Sequence, residues 1–455
     1  MQHKQMTLAA AIAAALMMMN TAQADTWEIT QGAVITTDTT VTQNDSTAGA
    51  KQAINAINSS TDTVKGTQTV SMGTSTLTLE QTGATEAATQ AANYLNTANV
   101  ATTAGTTFTQ SQAGSGAVSL DQSDNANLQG GNRQAVNMVD TVGTVDGLTQ
   151  KIDTGTSASL TQNTADDNLQ AINHIEASEV KGAALQEAKP DAISLSQAGS
   201  GGTNGQIQAI NNIKTTKLTK AKQDTAPATT LSLQQNSTGS NTQAANRADG
   251  GATNAVGDLT QVVTFGAGAN TITQDSNGVQ TQALNMAITD KGVNGTDGID
   301  QSVDNSAADI LLKQGATTTV GDGSRQAGNY LKNKDVVSKV TQTLNSDTKV
   351  IKLEQTQAGA TQTVQAGNLI DLSTANSGLT SGTQTIIADG AATGELNLNQ
   401  AGTAAVLQAG NAVITDGTGT GGTLSQTGTL TKLTMLQDAA TGSFQATNYL
   451  GQEIQ

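Results

Sequence analysis

The motif Gln-Ala-x-Asn occurs eleven times in this chain and is usually followed two residues later by Ile, Leu or Val. Successive copies lie about 39 residues apart on average. A fixed period of this size is typical of solenoids, in which each unit buries its apolar face against its neighbours. The motif predicts one repeat array, with copies beginning at Gln52, Gln90, Gln134, Gln170, Gln208, Gln243, Gln282, Gln326, Gln365, Gln408 and Gln445.

The composition leaves little material for a single large core. The 455 residues include only three phenylalanines, three tyrosines and one tryptophan, against forty-seven glycines. Low hydrophobicity of this kind is also typical of disordered chains. The strict period argues against disorder, because a chain without packing has no reason to keep its aliphatic residues in register. We therefore expect burial through many small contacts.

The N-terminus has the features of a secretory signal. Lys4 precedes an apolar run from Leu8 to Met19, and Ala22-Gln23-Ala24 resembles a cleavage site. The run is shorter than the ~20 residues that a bilayer-spanning helix needs, which argues against a membrane anchor. We predict a signal peptide over residues 1–24 and a single repeat array over residues 25–455. The mature chain, without a transmembrane segment, is then secreted to the extracellular space or the cell surface.

The charge of the chain argues against nucleic acid as a partner. The formal net charge is −16, and phosphate binding needs a basic surface. The one cationic cluster consists of Lys214, Lys217, Lys220 and Lys222, which we interpret as a solvated face, with a polyanion contact as the alternative. Because the chain has no cysteine, it offers no disulfide framework and no thiolate metal site.

Two further elements precede each motif. One alternates apolar and polar residues, as in Leu77-Thr-Leu79-Glu-Gln81, and period two predicts a strand whose aliphatic and Gln side chains share one face. The other places an apolar residue before Thr-Gln, as at Phe108-Thr-Gln110. Three strands per repeat fit either one three-sided coil or two strand-turn-strand rungs. At ~4.8 Å per rung, these alternatives predict a rod of roughly 50 Å or roughly 105 Å.

The motif itself predicts a strand with amides in its interior. Alternation along residues 208–213 places Ala209, Asn211 and Ile213 inside, with Gln208 outside or at a bend. A lone buried amide loses about 1 to 3 kcal/mol, but identical amides stacked one rung apart bond to one another and fix the register. We predict structural amide ladders at Gln81, Gln122, Gln162, Gln197, Gln235, Gln274, Gln355 and Gln400, and at Asn55, Asn93, Asn137, Asn173, Asn211, Asn246, Asn285, Asn329, Asn368, Asn411 and Asn448.

The tyrosines and the two ends of the pattern bear on assembly. Tyr94, Tyr330 and Tyr449 each follow a motif Asn directly, which predicts one outward column. This column either tolerates aromatic residues or marks a candidate lateral contact between rods. The repeat pattern runs from Ile29 to Leu450 without a recognisable polar cap. Because unpaired strand edges invite association, we expect end-to-end polymerisation.

Catalytic and metal-binding patterns are not evident. His174 follows a motif Asn and is predicted to be an exposed strand residue. The stretch from Asn294 to Asp300 approximates a calcium-binding Gly/Asp repeat only once, so we interpret it as an ordinary turn. We predict no catalytic residue, no cofactor and no metal, and therefore no enzyme.

Residues 77–83, 193–199 and 396–402 share the pattern aliphatic-x-Leu-x-Gln-x-Gly. This pattern resembles the first half of the curlin repeat, the unit of curli fibre subunits. The period here is about twice the curlin period, and Gln-Ala-x-Asn takes the place of the second curlin half. The resemblance implies stacked strand-turn-strand repeats in an extracellular, amyloid-like fibre subunit that is exported through a dedicated outer-membrane pore.

Together these features predict an all-β protein, a β-solenoid of about eleven repeats of about 39 residues. The expected function is that of a secreted structural protein that self-assembles into an amyloid-like extracellular fibre or biofilm matrix. Its partners would be further copies of itself, with a nucleator or an outer-membrane export pore. The alternative is a monomeric surface adhesin or glycan-binding β-helix with specificity in its variable loops. A polysaccharide-degrading β-helix is a third alternative, against which the missing acid/base pattern argues.

Overall fold

The computed structural model describes residues 26–44, 49–82, 87–100, 107–122, 131–163, 168–199, 205–237, 239–251, 253–275, 278–315, 321–347, 349–356, 362–374, 377–389, 394–402, 406–416, 422–439 and 443–452. The predicted signal peptide, residues 1–24, lies outside the described residues. In the described part of the chain every regular element is a β-strand, and none of it forms a helix long and apolar enough to cross a membrane.

Each repeat forms one coil of three strands, which we name in chain order the Thr-Gln strand, the middle strand and the motif strand. Every strand pairs in parallel with its counterpart one repeat away, so that Gln52 lies opposite Gln90 and Leu79 opposite Leu120. This register selects one three-sided coil per repeat over two rungs. The prediction of an all-β solenoid is confirmed, and eleven coils give a stack of roughly 50 Å.

The eleven middle strands form one sheet, and the other two sets join with the short strand Thr144–Asp146 in a 22-stranded sheet. The middle strands are Thr39–Asn44, Thr76–Thr82, Ala117–Gln122, Ser157–Asn163, Ala192–Gly199, Thr230–Ser237, Asn270–Asp275, Ile310–Gln314, Val350–Thr356, Glu395–Gly402 and Lys432–Ala439. The Thr-Gln strands are Thr26–Ile35, Phe108–Gly114, Leu148–Ile152, Ala184–Ala188, Lys220–Thr225, Asp258–Thr264, Ile299–Asp304, Val340–Asn345, Ser381–Ala388 and Thr423–Leu430, and the strand Lys51–Met72 supplies one more.

The motif strands are the start of Lys51–Met72 and then Thr89–Val100, Arg133–Thr141, Leu169–Lys181, Ile207–Leu218, Asn241–Gly250, Gln280–Thr289, Arg325–Asn333, Thr363–Leu372, Val406–Thr415 and Phe444–Gln452. Three short strands, Thr144–Asp146, Val336–Val337 and Gly378–Leu379, lie in the connections that follow motif strands. The strand Lys51–Met72 spans a motif strand and the next Thr-Gln strand without interruption.

Two apolar columns fill the interior along the stack. In the first, Leu77 and Leu79 of a middle strand pack with the ends of Thr-Gln strands and with the x residue of the motif, such as Ala92. In the second, the aliphatic residue after the motif, such as Leu95, packs with the apolar residue before Thr-Gln, such as Phe108. The alternation of the middle and Thr-Gln strands therefore follows the sequence pattern.

The motif strand bends, and strict alternation fails there. Gln208 bonds to a middle strand through Nε2, and Asn211 bonds to a Thr-Gln strand through Nδ2. Ile210 packs in the first apolar column, so two successive residues, Ile210 and Asn211, face inward. Ile210 also drops out of the strand pairing, which marks the bend. Gln208 was expected outside or at a bend, and it faces a middle strand. The expectation that Ala209 faces inward is wrong, because alternation holds only for a straight strand.

Three neighbouring coils place glycine at the bend. A Cβ added to Gly367 would lie 2.8 Å from the carbonyl oxygen of Gly410 and 2.9 Å from Cδ1 of Ile386. Both Ile386 and Leu344 belong to Thr-Gln strands and fill the space that a larger x residue would need. A small x residue therefore lies opposite a large side chain of the facing Thr-Gln strand, which keeps the interior closely packed.

Candidate functional site

The motif asparagines form a continuous ladder through the interior. Nδ2 of Asn55 donates to Oδ1 of Asn93 at 2.8 Å, and the same bond repeats from coil to coil at 2.8 to 2.9 Å as far as Asn448. All eleven asparagines named from the sequence are therefore joined.

The middle-strand glutamines form a second ladder. Each Nε2 donates to Oε1 of the preceding coil, from Gln81 to Gln43 at 2.9 Å and onward as far as Gln400. In the last coil, Nε2 of Gln437 donates to the carbonyl oxygen of Val406 instead. The eight glutamines named from the sequence all lie in this ladder.

Two further ladders were not predicted. The motif glutamines are joined from Gln52 to Gln445 at 2.7 to 3.0 Å. The glutamines of the Thr-Gln strands are joined from Gln31 to Gln426 at 2.7 to 2.9 Å. Both columns recur in every repeat, and that recurrence was the available signal for them.

Backbone carbonyls accept the remaining amide protons. Nδ2 of Asn93 donates to the carbonyl oxygen of Ser111 at 3.1 Å, and Nε2 of Gln150 donates to that of His174 at 2.9 Å. An amide in an inner coil thus bonds to both neighbouring coils and to a facing strand. Because a buried unsatisfied amide is costly, such residues are stable only within an array.

The ladders have opposite directions. The three glutamine ladders donate toward the preceding coil, as Gln90 does to Gln52. The asparagine ladder donates toward the following coil, as Asn55 does to Asn93. The two ends of the stack therefore present different hydrogen-bonding groups.

Among the described residues, no coil pairs with the outer edge of the first or of the last coil. In the first coil, Nε2 of Gln31 and Gln52 reaches only backbone carbonyls. In the last coil, Oε1 of Gln426 and of Gln445 accepts no hydrogen bond from the described residues. The interior aliphatic position is 0% exposed at Leu95 but 62% exposed at Leu450. The last coil thus presents apolar and amide groups of interior type to solvent.

The bend makes the outer side of the motif strands concave, and we call the residues there the outer seam. It comprises the residue before the motif, the motif Ala, the residue after the motif Asn and the residue two positions further on. Tyr94 and Tyr330 lie in the seam but are only 3% exposed. The Tyr94 hydroxyl accepts a hydrogen bond from Nζ of Lys51, and the Tyr330 hydroxyl donates one to Asp371. Burial argues against a lateral contact through these two side chains, and Tyr449 is the partly exposed member of the column.

His174 lies in the seam and is 1% exposed, so the prediction of an exposed residue is wrong. Its Nε2 is 2.8 Å from Nη2 of Arg133, and its Nδ1 is 2.8 Å from Nδ2 of Asn212. Nη1 of Arg247 donates to Oδ1 of Asn212 at 3.1 Å. Burial, and then the charges of Arg133, Lys214 and Arg247, lower the pKa of His174 well below its ordinary value. The imidazole is therefore neutral at pH 7.

Carboxylates balance the cations around His174. Arg133 forms ion pairs with Asp140 and Glu176, and Arg247 pairs with Asp249 at 2.7 Å. The arms of one bent strand thus meet across the seam, since Arg133 and Asp140 flank the same motif.

Three lysines of the predicted cationic cluster also have acidic partners. Lys214 lies 2.9 Å from Glu176, and Lys217 lies 2.7 Å from Glu179. Lys222 lies 3.8 Å from Asp224. These pairs offset much of the positive charge that a polyanion would need.

The stretch from Asn294 to Asp300, which approximates a calcium-binding repeat, forms a turn that hydrogen bonds to Asp258 stabilise. The backbone N–H groups of Asp297 and Gly298 donate to Oδ1 of Asp258 at 2.9 and 3.1 Å. Gly298 has a φ of 71°, which favours glycine. Among the described residues, no three acidic or imidazole side chains meet in a way that would hold a metal ion.

Comparison with protein families, curated proteins and solved structures gives no match to this chain. The resemblance to the curlin repeat therefore stays a prediction.

Proposed function

We propose that the protein is a secreted structural subunit that self-assembles into an amyloid-like extracellular fibre or biofilm matrix. The observation that carries this proposal is the last coil, where Leu450 is exposed although its counterparts in inner coils are buried, and where Phe444 is exposed although Val364 and Leu407 in the two preceding coils are buried. Exposed apolar surface beside unpaired strand edges favours association with a further sheet. A second copy of the chain offers such a sheet.

The inner coils support the same function. Parallel, in-register strands with continuous amide ladders are the arrangement that gives cross-β fibres their stability. Secretion rests on the signal-like residues 1–24, and a nucleator or an outer-membrane export pore would then complete the route to the surface.

The test is electron microscopy and sedimentation of the purified protein over a range of concentrations. We expect unbranched fibres above a threshold concentration and a fibre diffraction reflection near ~4.8 Å along the axis. Rods that stay monomeric at high concentration would contradict the proposal. That result would favour a monomeric adhesin, for which binding to glycan arrays is the next measurement.

A further inference from the structure

We propose that two copies join head to tail, with the last coil of one copy placed on the first coil of the next in the register that operates inside the chain. This inference rests on the proposed function, because it specifies the contact through which copies would assemble. It is carried by the polarity of the ladders, the match of apolar positions and the outer seam.

The ladder polarity makes the two ends complementary. Within the chain, each glutamine donates from Nε2 to the coil before it. In the last coil, Oε1 of Gln426 and Gln445 faces the open end as an acceptor. In the first coil, Nε2 of Gln31 and Gln52 faces the opposite end as a donor. The asparagine ladder also continues, because Asn448 presents Nδ2 where Asn55 of the next copy presents Oδ1.

The apolar positions match in the same register. Leu424 of the last coil and Ile29 of the first are partly buried and pack against the second apolar column. Leu433, Met435, Ala33 and Val41 flank the ends of the first column. Aligning the repeats places Leu424 over Ile29 and Met435 over Val41, whereas Ala33 meets Gly428 and Leu433 meets Thr39. The junction would therefore bury interior side chains as an inner pair of coils does.

The seam supplies a contact that distinguishes the ends. Inside the chain, Nζ of Lys51 lies 5.0 Å from the ring centroid of Tyr94 in the next coil. At the junction, the same lysine would meet Phe444 and Tyr449 of the preceding copy, whose rings are 6.3 Å apart. Ala53 and Ala56 leave room for these rings. A cation beside aromatic faces is stabilised by the ring quadrupoles, so Lys51 would join aromatic groups of two copies.

Tail-to-tail contact lacks this complementarity. Two last coils would set the Oε1 acceptors of Gln426 and Gln445 against identical acceptors. Their strands would also run antiparallel, whereas every pairing inside the chain is parallel. A head-to-tail contact is heterologous and does not close on itself, so it extends into a filament.

Engineered cysteines test the register, because the chain has none of its own. Thr30 and Ser425 are exposed residues of the outer column of the Thr-Gln strands. In the proposed register they become neighbours across the junction, within the Cα separation of about 4.4 to 6.8 Å that a disulfide needs. The variant with Thr30→Cys and Ser425→Cys, assembled under reducing conditions and then oxidised, should give disulfide-linked dimers, trimers and longer species on a denaturing gel.

The matched control combines Ser425→Cys with Thr149→Cys, which lies in the same outer column but inside the stack. We expect fibres from this control without disulfide-linked species. Dimers alone from the single variant Ser425→Cys would indicate tail-to-tail contact and overturn the proposed register. Fibres without cross-linking in the Thr30→Cys/Ser425→Cys variant would also overturn it, while leaving the proposed function intact. Failure of the unmodified protein to assemble would instead overturn the function and the register together.

Discussion

Asn212 and His174 come from consecutive coils, and Nδ2 of Asn212 lies 2.8 Å from Nδ1 of His174. The other ring nitrogen faces the guanidinium of Arg133. The nearest carboxylate oxygen, on Glu176, is 4.0 Å from Nε2 and already accepts from Arg133. Burial is the main cause of the lowered pKa of His174, and the positive charges of Arg133, Lys214 and Arg247 lower it further, because a second proton on the ring would face cations and hydrogen-bond donors.

This environment predicts a pH-dependent stability. Because the pKa of His174 is lowered on folding, only the unfolded chain takes up the proton as the pH falls below about 6.5. The stabilisation is complete above that pH. Below that pH the free energy of unfolding falls by up to about 1.4 kcal/mol per pH unit, until the pH reaches the pKa of His174 in the folded protein. Denaturant unfolding between pH 7.5 and 5.5 measures this slope.

The control for that prediction is His174→Asn, which replaces the imidazole with an amide like that of the neighbouring Asn212. The only other histidine in the chain is His3, within the predicted signal peptide. The variant should lose the slope between pH 7.5 and 5.5. An unchanged slope would show that another group controls the transition.

The asparagine ladder predicts a strong effect of one substitution. Asn211→Leu removes the acceptor of Asn173 and the donor to Asn246. Leaving buried amide groups without partners should reduce the free energy of unfolding by about 2 to 4 kcal/mol. Asn236→Leu is the matched control, because Asn236 is exposed, and we expect a change within about 0.5 kcal/mol. Thermal unfolding compares the two variants, and equal losses would contradict a structural role of the ladder.

The ion pair between Arg325 and Asp371 predicts a non-additive result. The side chains are buried and 3.3 Å apart, and Asp371→Ala should reduce stability by about 3 to 5 kcal/mol because it removes a buried carboxylate that pairs with a buried cation. One coil further along, the counterparts of Arg325 and Asp371 are the apolar residues Val364 and Ile414. The double change Arg325→Leu with Asp371→Ile should therefore recover most of the loss. A double variant as unstable as the sum of the single changes would refute this account.

The open last coil predicts a separation of folding from assembly. Leu450 is 62% exposed in the single chain, so Leu450→Glu should change the melting temperature of the monomer by only a few degrees. The same charge at a coil junction would be buried, so fibre formation should fall at least tenfold. Val142→Glu is the control, because Val142 is 81% exposed on the side of the stack. Light scattering of the two variants measures the difference, and equal assembly would argue against the last coil as the contact.

The sequence predicted the features that repeat in a straight strand. Leu77, Leu79 and Gln81 alternate, and they all face inward as period two requires. The bend at Ile210 and Asn211 was not predictable from that rule, because it depends on contacts with two different strands of the coil. The burial of His174 and Tyr94 follows from the bend. The sequence pattern places both residues on the outer side of the strand, but closure of the seam over them depends on how the two arms of the strand meet.

The amide ladders illustrate a second limit. The stacking of Asn211 follows from the recurrence of Asn at this position in every repeat. Gln223 also recurs in every repeat, so its ladder could have been predicted in the same way. The inward direction of Gln208 does not follow from the recurrence, because the neighbouring Ala209 and Ile210 are both apolar and do not indicate which face of the strand is inside. The choice of glycine at Gly367 likewise depends on Ile386, which is not its neighbour in sequence.

The pairing of one coil per repeat has a geometric consequence. Neighbouring motifs are separated by 36 residues between Gln134 and Gln170 but by 44 between Gln282 and Gln326, and in both cases the paired glutamines are bonded directly. The number of residues between two motifs therefore varies without a change in the pairing of the coils. The length of the stack therefore depends on the number of motifs and not on the number of residues. Duplication of one whole repeat would lengthen the stack by about 4.8 Å.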